Sequence, residues 1–211
     1  MKKIALFGGS GRTGQHFLEQ ALAEGYDVRA LVRDPKKISQ QSDQLKLIVG
    51  DVLQPEGVDK TVQGSDIVVS LFGHVKGSPE WLQTNGTKNI ISAMQKHGVE
   101  RIISLSGGGL PFPEKDEPKF ADRLIRGIMK IAVPKVLKDA IEHAKVLRES
   151  DRKWVIVRAP RLTDGERVGE YREGWVGVNA STKISRADLA DFILKQVEDE
   201  KYNQQMPFVS Y

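Results

Sequence analysis

Short apolar runs alternate with amphipathic stretches along most of the chain. Ile4-Ala5-Leu6-Phe7, directly after Lys3, is apolar at successive positions, which predicts a strand over 3–7 covered on both faces. Phe17, Leu18, Ala21 and Leu22 recur at helical spacing, predicting a helix over 12–24 that Gly25 closes. Strands follow at 27–32, 45–49, 67–71, 101–105 and 154–157. Between them the pattern predicts short helices near 35–41 and around Val58 and Val62, and a longer one from about Pro79 to His97. Helix is expected again from Phe120 to about Ser150, with a break at Pro134. Ser185-x-x-Asp188 marks the cap of a last helix carrying Leu189, Phe192, Ile193 and Val197, and a short strand ends the chain at 206–209. This order predicts an α/β fold, a Rossmann-type doubly wound parallel sheet with helices on both faces, in one domain over 1–211.

Two stretches break the rhythm. Glycines at 107–109 and Pro111, Pro113 and Pro118 predict a substrate-side loop within about 107–134. Gly165, Gly169, Gly174 and Gly177 give 160–181 an irregular, equally substrate-facing character. In a doubly wound sheet, loops after the strands gather at the carboxyl edge, where ligands bind.

The first such loop carries the strongest chemical signal. Gly8-Gly9-Ser10-Gly11-Arg12-Thr13-Gly14 has G-x-x-G-x-x-G spacing between a strand and a helix. Glycines allow a tight turn and close approach to a pyrophosphate, which meets free amides and the positive end of the helix dipole. Arg33, at the tip of the second strand, stands where an NAD site carries an acid, and suits a 2′-phosphate; Arg12 approaches from the other side. This favours NADP(H), with NAD(H) kept as the lesser option by Asp34. Asp51 and Val52 stand where adenine would lie, although Asp51 could equally cap the helix beginning near Gln54. Leu71, Phe72 and Gly73 follow the fourth strand at the switch point, and Ser104 and Ser106 end the fifth, near the expected nicotinamide. Arg161, after Ala159-Pro160, could clamp an anionic substrate or make a surface ion pair.

Composition narrows the class. The chain has 211 residues, 39% hydrophobic, no cysteine and a net charge of +4 spread among acids. Thiolate chemistry and disulfides are excluded, no metal site is expected, and the scattered charge argues against a nucleic-acid surface. No apolar run is long enough to span a membrane, and Met1-Lys2-Lys3 runs directly into a needed strand, so a cytoplasmic protein is expected, monomeric or homodimeric, with a small-molecule acceptor as partner. None of Tyr26, Tyr171, Tyr202 and Tyr211 has a lysine four residues on, so the tyrosine–lysine acid of carbonyl reductases is missing. His143 could substitute, but a packed or surface histidine is the plainer reading.

Several blocks together carry a family resemblance. They are the strand and glycine turn, Leu31-Val32-Arg33-Asp34, Val49-Gly50-Asp51-Val52-Leu53-Gln54, Val58-Asp59-Lys60-Thr61-Val62, Ala93-Met94 with His97-Gly98-Val99, Lys145-Val146-Leu147-Arg148-Glu149-Ser150, and Glu200-Lys201-Tyr202. Over nearly its whole length the chain resembles the atypical short-chain dehydrogenases of the NAD(P)H-binding type, and within them the biliverdin-IXβ reductase or NADPH flavin reductase group. The resemblance implies NADPH bound by Gly8, Gly11, Thr13, Gly14, Arg33 and Asp51, and places Ser106 on the group's active-site serine. It implies hydride transfer to a flavin, as substrate rather than prosthetic group, or to a similar conjugated acceptor. The chain departs from the group in the loop after Ser106 and in carrying Arg161 where a histidine stands. The alternatives are a redox-sensing regulator that binds NADP(H) without turnover, and a quinone reductase or epimerase.

Overall fold

The computed structural model describes residues 2–211. In chain order the elements are β1 (Lys3–Phe7), α1 (Arg12–Ala23), β2 (Asp27–Val32), β3 (Leu45–Val49), α2 (Pro55–Val62), β4 (Ile67–Ser70), α3 (Leu82–His97), β5 (Arg101–Gly107), α4 (Phe120–Ala132), α5 (Pro134–Arg148), β6 (Lys153–Ala159), β7 (Arg161–Thr163), β8 (Arg172–Gly174), β9 (Lys183–Ser185), α6 (Arg186–Lys195) and β10 (Phe208–Ser210). The main sheet has the order β3-β2-β1-β4-β5-β6-β10-β8; all its pairings are parallel except β10 with β8. The order reverses between β1 and β4, which opens a crevice at their carboxyl ends.

Strand periodicity sorts the core into two layers. Ile4 and Leu6 of β1 join Phe17 and Leu18 of α1 and Leu189 and Phe192 of α6 on one face. Ala5 and Phe7 join Val58 of α2, Ile90 and Met94 of α3 and Leu147 of α5 on the other. The Rossmann-type expectation holds. α4 contributes to neither layer, and none of its residues is buried.

Several element boundaries are corrected. The helix expected near 35–41 is one 3-10 turn, Pro35–Lys37, because Ile38 returns to extended backbone. α3 begins at Leu82 rather than Pro79, since Trp81 takes a left-handed conformation. β5 continues to Gly107, held by pairing of Ser106 with Arg158 and Gly107 with Ala159. The 160–181 stretch is not wholly irregular: β7 pairs with β9, and β8 with β10. Ile141, two residues before His143 on α5, is 42% exposed. Among the described residues no helix is long and apolar enough to cross a membrane.

Candidate functional site

The glycine turn links β1 to α1 at the crevice. Gly8 has φ +86°, and a Cβ there would lie 2.5 Å from the Phe72 amide nitrogen, so the loop after β4 presses on this glycine. A Cβ on Gly14 would lie 2.1 Å from the Gly8 carbonyl oxygen. At Gly11 the nearest atom is that same oxygen at 3.2 Å, and the residue is exposed. Two of the glycines thus close the turn on itself, while the third opens outward. Gly11 is also the N-cap of α1; no side chain caps this helix, and its first turn contains no acid. The turn therefore presents uncompensated amides and the positive end of a helix dipole, with Ser10 half-buried beside them and Thr13 buried in the first turn. These features fit a dinucleotide pyrophosphate.

Around this turn the predicted residues separate. Arg33 is exposed just past the end of β2 and makes no ion pair among the described residues. Asp34 accepts a hydrogen bond from the Lys36 amide at 3.1 Å, capping the 3-10 turn. Arg33 and Asp34 both stand exposed at the tip of β2. Arg12 lies 4.0 Å from Asp164, both largely exposed, a pairing of little strength. Asp51 accepts from the Leu53 amide at 2.9 Å and shapes the turn before α2, whose N-cap is Gln54 rather than Asp51. The Val52 carbonyl accepts from Asn89 at 2.9 Å. Phe72 and Val52 both press on α3: a Cβ on Gly86 would lie 2.8 Å from the Phe72 ring and 3.0 Å from Val52. Leu71 is core, whereas nothing lies within 4 Å of a Cβ built on Gly73.

Arg33→Ala is expected to weaken NADPH about 10- to 150-fold, the equivalent of a charge-assisted hydrogen bond of about 1.5–3 kcal/mol, and to leave NADH nearly unchanged. Titration of both cofactors into both proteins checks this; equal losses would remove Arg33 from a 2′-phosphate site.

The two serines of β5 differ. Ser104 lies within 3.0 Å of His143 Nε2, and Thr87 holds Nδ1 at 2.8 Å. Ser104 is thus tied to the buried imidazole. Ser106 is 5% exposed, and its Oγ has no hydrogen-bond partner. An unpaired buried hydroxyl costs about 1–3 kcal/mol, which a ligand carbonyl or carboxamide would relieve.

His143 is buried between Thr87 and Ser104, and burial pushes it down to about 4, against a small opposing effect of Asp139. It is neutral near pH 7, a packed histidine. The unfolded chain takes up this proton near 6.5 and the folded protein only near 4, so stability is complete above that window and falls as pH drops through it. Between about pH 7 and about pH 4.5 the loss should be about 2 kcal/mol. Urea unfolding across this range should show that slope in the wild type and a much flatter one in His143→Gln.

Sequence reasoning missed the loop-fastening roles of three buried carboxylates, of which it read only Asp188, as part of the α6 cap. Asp139 of α5 accepts from the Gln83 and Thr84 amides at 2.8 and 2.9 Å, so it caps α3 from a different helix. It also meets His74 at 2.6 Å, just past the β4 loop. Burial raises its pKa, but the bonds from Thr84, Gln83 and His74 outweigh this and hold it below the ordinary carboxylate range. Asp188 of α6 accepts from the Val168 and Gly169 amides at 2.8 Å and from Tyr211 at 2.6 Å, fastening the 160–181 stretch. Asp116 pairs with Arg158 and fastens the loop after β5. Arg161 lies outside the main sheet, exposed at the start of β7. Among the described residues no cluster of His, Asp and Glu could hold a metal ion.

The family model described as NAD(P)H-binding matches residues 8–200. The uncharacterized protein YwnB of Bacillus subtilis (strain 168) is 27% identical, covering 99% of this chain and 98% of its own. A solved structure from Bacteroides thetaiotaomicron superposes with a TM-score of 0.81 at 27% identity, covering 100% of this chain and 97% of the other. ChuY of Escherichia coli O157:H7, an anaerobillin reductase, shares the fold with a TM-score of 0.79 at 20% identity, over 100% and 97% of the two chains.

Proposed function

Because this chain belongs to the NAD(P)H-binding family, we propose that it is an NADPH-dependent reductase of a flat conjugated acceptor, a flavin or a linear tetrapyrrole. The observation that carries this reading is the unpartnered, buried Ser106 hydroxyl at the carboxyl end of β5, on the edge that holds the glycine turn. Arg101, at the opposite end of the same strand, also has unpartnered nitrogens, but it lies far from that edge. That ChuY is an anaerobillin reductase supports a tetrapyrrole-like acceptor on this fold.

In this reading the Gly8–Gly14 turn and the first amides of α1 hold the pyrophosphate. Arg33 and Arg12 hold the 2′-phosphate, and Asp51 and Val52 border the adenine. The open space at Gly73 admits the ribose beside β4. When bound, the reduced nicotinamide supplies a hydride. Ser106 donates a hydrogen bond to a carboxamide or acceptor carbonyl and fixes its orientation. The balancing proton comes from water, because His143 is neutral and enclosed by Thr87 and Ser104. The rate then rests on proximity and orientation rather than on a strong acid.

The test follows NADPH absorbance with FMN, FAD, biliverdin and a quinone. Turnover is expected with at least one ring acceptor, and Ser106→Ala should lower kcat by about 10- to 100-fold. Tight NADPH binding without turnover on any acceptor would replace this reading with the regulator.

A further inference from the structure

We propose that α4 docks the protein on an anionic lipid surface. A helix of a globular protein ordinarily turns its apolar stripe to the core. α4 does the reverse. At about 100° per residue, Asp122, Arg126 and Met129 share the face toward the protein. Asp122 accepts from the Lys119 amide at 2.9 Å, Arg126 reaches to 3.9 Å from Asp116, and Met129 lies against Gly109. Phe120, Leu124, Ile128 and Ile131 share the opposite face and are 83, 55, 56 and 85% exposed. A contiguous exposed apolar stripe of this kind marks an interaction surface.

Charge says what covers it. Arg123 and Lys130 border the stripe on one side, both exposed and neither in an ion pair among the described residues. Lys119 stands at its start, and Lys135 and Lys138 follow on α5. The single acid of α4, Asp122, is turned inward onto its own helix end. A second copy of the chain docked about a two-fold axis with the two helices antiparallel would bring this cationic border against itself. An anionic bilayer complements both parts: the apolar stripe enters the interface and the cations meet headgroups. Trp81 is 40% exposed nearby, next to Glu80, which pairs with Lys135 at 2.9 Å; an amphipathic ring suits that depth. The surface makes a peripheral attachment, with no segment crossing the bilayer.

The experiment uses the full chain and vesicles of phosphatidylcholine, with and without phosphatidylglycerol, at low and high salt. Co-sedimentation is expected with the anionic vesicles at low salt. It should fall at least about tenfold at high salt, in the L124Q/I128Q variant and in the R123E/K130E variant. All four positions are exposed, so both variants should melt with the wild type; melting curves confirm that lost binding is not lost fold. No sedimentation with anionic vesicles, or undiminished binding by both variants, would overturn the proposal. A dimer that L124Q/I128Q dissociates in analytical ultracentrifugation, without vesicle binding, would overturn it in favour of a second copy.

Discussion

Replacing Arg158 by methionine should destabilise the protein by about 3–5 kcal/mol, the usual consequence of stranding one partner of a buried ion pair. Arg158 is fully buried and Asp116 nearly so. Two guanidinium nitrogens meet the two carboxylate oxygens at 2.8 Å, while the same side chain donates to the Met206 and Leu110 carbonyls at 2.8 and 2.9 Å. Asp116 also accepts from the Phe112 amide at 2.7 Å and the Val176 amide at 3.1 Å. One pair thus joins β6, the loop after β5, the segment before β10 and the turn beyond β8. In Arg158→Met, Asp116 keeps Arg126, at 3.9 Å, as its one ion-pair partner among the described residues. Asp116→Leu alone strands the guanidinium and the two amides. The double variant leaves only the amides and carbonyls unpaired, and should recover part of the loss. Urea unfolding of the four proteins gives the coupling energy. A value well under 1 kcal/mol would mean that the backbone bonds, rather than the ion pair, fasten these loops.

That hub explains where sequence reading stops. The strands β1 to β6 and the helices between them were legible because a parallel sheet covered on both faces writes itself as apolar runs separated by amphipathic stretches. The glycine turn was legible because its residues are contiguous. Asp116 was not: its partner lies 42 residues on, and nothing in a proline-rich loop distinguishes a buried acid from a solvated one. Asp139 and His74, 65 residues apart, are hidden for the same reason. The two serines of β5 are equivalent as sequence; only the packing of α3 and α5 shows that one is held by His143 and the other is not. A helix was expected from Phe120, but nothing in that expectation says which face of α4 turns outward.

Gly11→Val is expected to remove dinucleotide binding from a protein that still folds. The neighbouring glycines cannot make this separation. A side chain on Gly8 meets the loop after β4 and requires a left-handed residue, and one on Gly14 strikes the Gly8 carbonyl oxygen at 2.1 Å. Backbone must move in both cases, so Gly14→Ala should lower stability as well as binding. Gly11 is different. A Cβ there has one near neighbour, at 3.2 Å, and the backbone is extended, with φ −76° and ψ 162°, which any residue adopts. Valine should therefore leave unfolding within about 1 kcal/mol of wild type, typical of exposed positions. Its branches would stand over the first amides of α1, in the space a pyrophosphate must enter. Affinity for NADPH should fall at least about 100-fold, or about 2.7 kcal/mol. Calorimetric titration beside urea unfolding decides the matter. Wild-type affinity in a folded Gly11→Val protein would mean that the phosphates lie elsewhere, and the assignment of the turn would fail with it.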